Sequence, residues 1–332
     1  MLTSEEPEYR AVVNGREPVR DINLKELRYS QTATQDGVSV AVAHLPGMEV
    51  EDYLQSFYHI SSRPNAPAYN SMIEQHLDRL AGHLETTGSP LNFLVFPEVF
   101  LPLNLERALT DFSRKFNTII IGGIEYDRQA DGTTADTVLG ENRCLILVPG
   151  AGGEVHRFTY SKLTRSQYDA RTPPSNVNGD RGYFKLKRGD SLIRFVSDES
   201  FSFGVLICYD FSHLDITACL NLHGRDVPPE ILFVVAYNPD GDLYRRCCIA
   251  DAHRFYQYVV MCNVSQFGGS GVFGPVRPAG ERQTVLHAGQ NAQGISIAQL
   301  DLVGLITARK TADTQPRIKQ FMKKPGLLAS AL

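Results

Sequence analysis

The chain has 332 residues, of which 42% are hydrophobic and 21% are charged, with 33 lysines and arginines against 37 aspartates and glutamates. This length allows one large domain or two ordinary ones, and the net charge of −4 gives no electrostatic reason to expect a nucleic-acid partner. No apolar run approaches the roughly 18 residues of a membrane span, and the polar N-terminus lacks the apolar core of a signal peptide, so we expect a cytoplasmic protein with no membrane partner.

The chain opens with a segment, residues 1–36, that is charged and carries no strand signal. We interpret it as an N-terminal extension with some helix around Asn23 to Tyr29. From residue 37 onward, short apolar strands alternate with helices. The predicted strands of this first half are Val38–His44, Asn92–Phe96, Thr118–Gly123, Cys144–Val148 and Val155–Tyr160, and the predicted helices are Asn70–Thr86 and Leu105–Phe116.

The second half continues the alternation without a Pro/Gly/Ser-rich linker. This continuity predicts one α/β sandwich domain over residues 37–309 instead of two unrelated domains. Residues 310–332 look like a surface tail, or an arm that reaches a partner subunit. The predicted strands here are Leu192–Val196, Phe201–Ile207, Ile231–Ala236, Tyr258–Val264, Ile295–Leu300 and Leu305–Ala308, and the predicted helices are Asp215–Leu222 and Leu243–Tyr256.

Six cysteines occur, at positions 144, 208, 219, 247, 248 and 262. No C-x-x-C pair exists, and most of the six lie in apolar stretches, which is unlike a zinc site. We expect reduced thiols, one of them reactive.

Cys208 is the candidate for that reactive thiol, because it ends the apolar run Phe201–Ile207 and opens a polar turn. A strand followed at once by a turn and then by a helix presents its turn residue in the manner of a nucleophile elbow. The competing interpretation is packing, since cysteine is among the most buried residue types.

Two other residues have the same placement. Glu98 follows the apolar strand that ends at Phe96, and Lys162 follows the strand that ends at Tyr160. Each alone would be interpreted as a solvated charge at a strand end. Because ligands bind at the carboxyl ends of strands in α/β sheets, the three together predict one pocket that contains a Glu, a Lys and a Cys.

The order of Glu98, Lys162 and Cys208, with their local contexts, resembles the nitrilase superfamily of carbon–nitrogen hydrolases. The resemblance covers about residues 37–309, and it rests on several motifs in the right order. The segments that carry it are 96–98, 153–163, 187–190, 204–210, Ala252, 258–260, Asn263 and 268–275.

The resemblance implies a four-layer αββα sandwich, with two sheets face to face and helices outside. It also implies that Cys208 attacks an amide carbonyl while Glu98 acts as the base, and that Lys162 and the backbone N–H of Tyr209 stabilise the oxyanion. The acyl-thioester is then hydrolysed, and no metal or organic cofactor is needed.

The chain departs from the family pattern at two places. The second acidic residue that many relatives carry after the lysine has only Asp169 as a candidate, and the usual Glu-Asn pair before a late strand is replaced by Arg254 and Phe255. Other candidates for the pocket, each with an ordinary packing or surface role as its competing interpretation, are Tyr126, Arg171, Tyr237 and Phe267.

Several functions stay open on the sequence. The expected substrate is a small amide or carbamoyl amide, with nitrile hydrolysis and acyl transfer to an amine as alternatives that use the same three residues. A non-catalytic nitrilase-like binding or scaffold protein is the competing class. We also expect a homodimer or larger homo-oligomer, formed near the helix Leu243–Tyr256.

Overall fold

The structure, a computed structural model, describes residues 22–29, 37–48, 66–130, 137–164, 166, 183–197, 201–222, 227–276, 284–310 and 321–322. Its strands are β1 (Asn23–Arg28), β2 (Val38–His44), β3 (Phe93–Val95), β4 (Ile119–Ala130), β5 (Thr137–Pro149), β6 (Val155–Ser161), β7 (Tyr183–Lys187), β8 (Ser191–Val196), β9 (Phe203–Ile207), β10 (Ile231–Val235), β11 (Tyr258–Cys262), β12 (Gly271–Phe273), β13 (Thr284–His287) and β14 (Gly294–Leu300). Its helices are α1 (Ala66–Thr87), α2 (Glu106–Phe116), α3 (Leu214–Leu222), α4 (Gly241–Arg254) and α5 (Leu302–Lys310).

The strands form two seven-stranded sheets. The first has the order β1-β8-β9-β10-β11-β12-β13, and the second has the order β14-β2-β3-β4-β5-β6 with β7 paired to β5. Three adjacent parallel strands form the middle of each sheet, β9-β10-β11 in the first and β2-β3-β4 in the second. Their carboxyl ends supply the positions from which functional side chains can project.

The central strands consist almost entirely of buried apolar residues, as expected for strands that are covered on both faces. Phe93 of the second sheet meets Phe203 and Phe233 of the first, with ring centroids 5.2 and 4.7 Å away. The Cys262 thiol donates across the same interface to the carbonyls of Ala43 and Val95, at 3.3 Å each. The two sheets are therefore packed face to face.

Helices cover the outer faces of both sheets. Leu77 and Leu80 of α1 and Leu109 of α2 pack on the outer face of the second sheet, while Leu220 of α3 and Cys248 of α4 belong to the core cluster that includes the first sheet. The architecture is the αββα sandwich that the sequence predicts. Among the helices in the described ranges, none combines the length and apolar character that a bilayer crossing requires.

The helix predicted around Asn23 to Tyr29 is wrong, because these residues form β1 and pair in parallel with β8. The segment is short and mostly exposed, so its local pattern does not separate helix from strand. Tertiary contacts decide: the Tyr29 hydroxyl donates to the Phe201 carbonyl at 2.7 Å, and the buried Arg194 guanidinium on β8 reaches Glu26.

The strand predicted at Leu305–Ala308 is also wrong, because these residues lie in α5. Leu302, Leu305 and Ala308 are buried at a helical spacing. Asp301 accepts hydrogen bonds from the backbone N–H of Gly304 and Leu305 through its side chain and its carbonyl, which starts the helix.

The two segments outside the predicted 37–309 domain both contact it. β1 lengthens the first sheet, and within the predicted tail Phe321 is buried beside Tyr256 with a ring-centroid distance of 6.5 Å. The backbone of Met322 bonds to Pro275 and to the Tyr256 hydroxyl. The domain boundaries themselves remain a prediction.

Phe203 tests how much the inter-sheet core stabilises the fold. We expect Phe203→Ala to lower the free energy of unfolding by about 3–5 kcal/mol, because the ring is fully buried and stacks on Phe195 at 4.5 Å. Val303→Ala is the control, since that side chain on α5 is 56% exposed and should change stability by less than about 0.5 kcal/mol. Urea unfolding of both variants measures the difference, and a similar small effect for Phe203→Ala would contradict this packing.

Candidate active site

Glu98 lies in the turn that follows β3, with its carboxylate buried between the ends of the two sheets. The turn is tight, with Val99 at a positive φ of 50°. It lies directly against Gly123 of β4, where a Cβ atom would collide with the backbone of Glu98 and Val99. Gly123 also donates its N–H to the Pro97 carbonyl at 2.9 Å. This close approach requires glycine and fixes where Glu98 enters the site.

The Glu98 carboxylate is held by three donors. Its Oε1 accepts from the Lys162 ammonium at 2.9 Å and from the Asn142 carboxamide at 2.7 Å, and its Oε2 accepts from the backbone N–H of Tyr237 at 2.9 Å. All three donors come from elements other than the Glu98 turn. A buried carboxylate with this many donors has a fixed orientation.

Lys162 follows β6 and is as buried as Glu98, with 2% of its surface exposed. Its backbone N–H donates to the Asn142 carbonyl at 2.9 Å, and its carbonyl accepts from Gly189 N–H at 2.9 Å. Asn142 of β5 therefore holds both members of the ion pair, the Lys162 backbone through its carbonyl and the Glu98 side chain through its amide.

Cys208 follows β9 directly and has a positive φ of 41°, which is rare for a residue with a side chain. The chain needs this conformation to turn sharply from the strand into the short 3₁₀ turn Cys208–Ser212. The sulfur lies 4.0 Å from the Tyr237 carbonyl, and the same residue donates its backbone N–H to the Glu98 carboxylate, which places the carboxylate on the same side of the site as the thiol. The predicted step from strand to turn at Cys208 is thus observed, but the exposed sulfur expected of such an elbow is not, because the residue is buried with 4% of its surface exposed.

The environment of the thiol favours the protonated form. Burial, together with the negative charge of Glu98, raises the pKa of Cys208 well above its usual range, and the Lys162 ammonium opposes that rise. A sulfur in this setting does not ionise by itself near neutral pH, so a nucleophilic role requires a base beside it. Glu98 occupies that position.

Asp210 connects the Cys208 turn to the Lys162 loop. Its fully buried carboxylate accepts hydrogen bonds from the Tyr160 hydroxyl at 2.7 Å and from the Thr164 hydroxyl at 2.7 Å. It also accepts from the backbone N–H groups of Leu163 and Thr164. Burial raises the pKa of Asp210 to about 6, and the hydrogen bonds from Thr164 and Leu163 oppose that rise.

The loop after β10 forms another wall of the site. Tyr237 donates its backbone N–H to Glu98, and its hydroxyl donates to the Met48 carbonyl at 2.6 Å. The ring of Tyr237 meets that of Phe267 edge-on at 5.3 Å. Next along the chain, the Asn238 carboxamide nitrogen lies 3.8 Å from the Cys208 sulfur.

The structure therefore brings Glu98, Lys162 and Cys208 together, as the sequence predicts, with Tyr237 beside them. Tyr209 follows the sulfur-bearing residue, so its backbone borders the thiol. Tyr126 lies in β4, but its side chain is outside the described part of the structure, as are Asp169 and Arg171 entirely. Their predicted roles stay predictions.

Sequence reasoning missed the roles of three polar residues. Asn142 and Asn238 contact Glu98 and Cys208, and Asp210 binds the backbone that follows Lys162. Asn142 lies in β5 between Glu141 and Arg143, ahead of the apolar run Cys144–Val148, so the local pattern gave no signal that its side chain is buried. Within the described residues, no three His, Cys, Asp or Glu side chains cluster as metal ligands would.

The Asp210 clamp gives a stability prediction. Asp210→Ala should lower the free energy of unfolding by at least about 3 kcal/mol, because it leaves several buried donors without an acceptor, and Asp210→Asn should cost less. The folded pKa of about 6 lies above the usual value, so the folded state keeps a proton that the unfolded state releases. The titration of Asp210 therefore makes the free energy of unfolding fall as the pH rises from about 4 to about 6.

Urea unfolding between pH 4 and pH 7 checks both parts. The stability of Asp210→Asn should lack that component of the pH dependence. Asp251→Asn should lose a similar component of its own, since burial also raises the pKa of Asp251 to about 6 at a separate place on α4, and the double variant should lose both. Identical pH dependence in the parent protein and in Asp210→Asn would contradict the assignment.

Comparison with known proteins shows similarity to solved structures. No protein-family model and no curated protein sequence matches the chain. A carbon–nitrogen hydrolase from Helicobacter pylori G27 has a TM-score of 0.52 at 14% identity, covering 81% of this chain and 91% of that one. A CN-hydrolase superfamily protein from Xanthomonas campestris, with an arsenic adduct in its active site, has a TM-score of 0.51 at 12% identity, covering 82% and 94%.

A mutant of an amidase of the nitrilase superfamily from Nesterenkonia AN1 has a TM-score of 0.50 at 12% identity, covering 82% of this chain and 95% of that one. At these identities the likeness concerns the fold. The chain has the fold of the nitrilase, or carbon–nitrogen hydrolase, superfamily.

Proposed function

We propose that this chain hydrolyses a carbon–nitrogen bond of a small amide or carbamoyl amide through an acyl-thioester on Cys208. The observation that carries the proposal is the buried contact between Glu98 and Lys162 beside a buried thiol. A buried ion pair is costly unless it is compensated, and its place directly beside a buried thiol favours a catalytic role over a scaffold.

Acylation begins with Glu98 as the base. As the sulfur of Cys208 bonds to the substrate carbonyl carbon, the thiol proton moves to the Glu98 carboxylate, which is bound by the backbone of the same Tyr237 that borders the sulfur. The raised pKa of the thiol makes this transfer necessary. The hydrogen bonds from Lys162, Asn142 and Tyr237 keep the carboxylate oriented toward the sulfur.

The attack turns the carbonyl oxygen into an oxyanion that needs donors in place beforehand. The Lys162 ammonium is buried in the site, and the backbone N–H of Tyr209 follows the nucleophile in the chain. A donor of this kind contributes about 3 kcal/mol to the transition state in a site that excludes water. Lys162 also lies next to Glu98, so its single positive charge can stabilise both the oxyanion and the carboxylate.

The tetrahedral adduct collapses when Glu98 returns its proton to the leaving nitrogen and the carbon–nitrogen bond breaks. The amine or ammonia departs and leaves an acyl-thioester. Glu98 then takes a proton from water, the resulting hydroxide attacks the thioester carbonyl, and the sulfur leaves and regains the proton. The products are a carboxylic or carbamic acid and an amine, and the enzyme residues return to their starting state.

The fold supports this class of reaction, because solved structures with the same fold include an amidase and a carbon–nitrogen hydrolase. Amide is proposed in preference to nitrile because a nitrile route needs a site that protonates the nitrile nitrogen and then retains a thioimidate. None of the described side chains that contact Cys208 is placed for that step in particular. The preference is chemical and is tested below.

We also propose that the protein is a cytoplasmic homo-oligomer. The side chains of Leu243 at the start of α4 and Leu214 at the start of α3 are 57% and 64% exposed, and leucines at this exposure fit a surface that a second copy covers. No nucleic-acid or membrane partner is part of the proposal.

The triad assignment is tested by substitution. Cys208→Ala, Glu98→Gln and Lys162→Arg should each lower kcat/KM by at least about 10³-fold, because they remove the nucleophile, the base and a compact charge that a planar guanidinium does not replace. Cys247→Ser is the matched control, since Cys247 is exposed on α4 and should be dispensable. Intact mass after substrate addition should show an acyl adduct on the parent protein and none on Cys208→Ala.

Circular dichroism and urea unfolding establish that each variant is folded before its rate is compared. Near-normal hydrolysis by folded Cys208→Ala would rule out the mechanism. Loss of activity in Cys247→Ser with Cys208→Ala still active would move the nucleophile to α4.

The substrate class is tested with matched pairs. We expect ammonia release from small aliphatic and carbamoyl amides at rates at least about tenfold above those from the corresponding nitriles at equal concentration, because the site is built to stabilise an oxyanion. Faster ammonia release from nitriles would reverse the choice. An acyl adduct that yields hydroxamate with hydroxylamine but is not hydrolysed would favour acyl transfer, and absence of any adduct would favour the scaffold interpretation.

A further inference from the structure

The orientation of the Asn238 side chain is fixed by a hydrogen bond from the backbone two residues further along the chain. Its Oδ1 accepts from the backbone N–H of Asp240 at 2.8 Å, so the carboxamide oxygen is already occupied. The amide nitrogen therefore faces the other way, and it lies 3.8 Å from the Cys208 sulfur. An amide nitrogen carries only donors, so the group presented to the sulfur is an N–H.

The backbone of Asn238 is held as firmly as its side chain. Asn263, which is fully buried after β11, accepts from the Asn238 N–H at 3.0 Å and donates to the Asn238 carbonyl at 2.9 Å. The same Asn263 amide also donates to the Gly268 carbonyl at 2.8 Å. Asn263 thus holds the Asn238 backbone through two hydrogen bonds of opposite direction, and the Asn238 amide can donate to the sulfur without any rearrangement of the loop.

Asn238 is also part of a segment that contacts both reacting groups. Tyr237 donates its backbone N–H to the Glu98 carboxylate, and its carbonyl lies 4.0 Å from the Cys208 sulfur. The next residue, Asn238, adds a side-chain amide contact to that sulfur. The Tyr237 carbonyl is an acceptor for the thiol, whereas Asn238 is a donor whose hydrogen bond strengthens when the sulfur becomes negative.

We propose that Asn238 is a fourth catalytic residue, whose carboxamide N–H donates a hydrogen bond to the Cys208 sulfur and stabilises the thiolate as Glu98 removes its proton. The proposal rests on the proposed function for the identity of the nucleophile. A neutral N–H···S contact at this distance is weak, but the same contact to a thiolate is charge-assisted and shortens. Its effect therefore appears while the sulfur carries negative charge, in attack and again when the thiolate leaves the acyl-enzyme.

Alkylation of Cys208 by iodoacetamide tests the proposal without any substrate. Asn238→Ala removes the donor, and Asn238→Asp removes it while keeping the oxygen that accepts from Asp240. Each should leave about tenfold less thiolate at a given pH. The more basic thiolate is more nucleophilic, which offsets part of the loss, so the alkylation rate should fall about threefold for Asn238→Ala. Asn238→Asp should fall further, because it adds a negative charge beside the sulfur.

The rate is read at Cys208 alone, by mass spectrometry of the peptide that contains it, between pH 6 and pH 10. Ser212→Ala is the matched control: Ser212 is on the same turn, but its hydroxyl bonds to the Tyr244 hydroxyl at 2.6 Å and not to the sulfur, so its alkylation profile should match that of the parent. Circular dichroism checks that each variant is folded. If Asn238→Ala is not, Asn238→Ser replaces it, because a hydroxyl can still accept from the Asp240 N–H without adding charge.

An Asn238→Ala or Asn238→Asp protein that is folded and alkylates at the parent rate across this pH range overturns the proposal. A slower rate in Asn238→Asp with an unchanged rate in Asn238→Ala also overturns it, because added charge alone explains that result. Amide turnover is scored separately: parent protein that turns over no amide, with alkylation still dependent on Asn238, refutes the proposed function and leaves this inference standing.

Discussion

The buried contact between Glu98 and Lys162 is the interaction on which the rest of the site depends. Two charges removed from water destabilise a fold unless their remaining hydrogen-bonding capacity is met, and here the surroundings meet much of it. Asn142 and the Tyr237 backbone satisfy further positions on the carboxylate, and the Lys162 backbone is tied to both β5 and the loop before β8. The site is thus rigid before any substrate arrives, as electrostatic preorganisation requires. Replacing one member of the pair leaves the other as an uncompensated buried charge. The activity of each variant is therefore interpreted only once that variant is known to be folded.

The two sheets contribute different parts of this arrangement. Glu98 follows β3 and Lys162 follows β6 in the second sheet, while Cys208 follows β9 and the Tyr237–Asn238 segment follows β10 in the first. Glu98 and Cys208 therefore lie in one site only because the sheets pack face to face through Phe93, Phe203 and Phe233. Asp210 adds a second connection, since it sits two residues after the nucleophile and binds the chain that carries Lys162.

Much of this was predictable from sequence, for definite physical reasons. Fully buried parallel strands are short apolar runs in the sequence, and a charged or nucleophilic residue just after such a run marks the functional edge of a sheet, which located Glu98 and Cys208. Lys162 follows β6, which is antiparallel and partly exposed, so its place depended more on the family resemblance. The failures occurred where local pattern is ambiguous. β1 has six residues and is stabilised by pairing with β8, which no local signal reports. α5 was mistaken for a strand because only its apolar centre was considered, although Asp301 was available as an N-terminal cap signal.

The roles of the polar residues around Glu98, Lys162 and Cys208 could not be predicted from the sequence for a different reason. Asn142 and Asn238 act through contacts that span large sequence distances, 44 residues to Glu98 and 30 to Cys208, so their roles exist only once both sheets are assembled. Sequence order identifies the residues that carry the chemistry because the chemistry restricts their type. It does not identify the residues that orient them, because many polar side chains could do so from many places. Asn238, which contacts the Cys208 sulfur and is held by Asn263, is such an orienting residue, and we propose that it tunes the reactivity of the thiol.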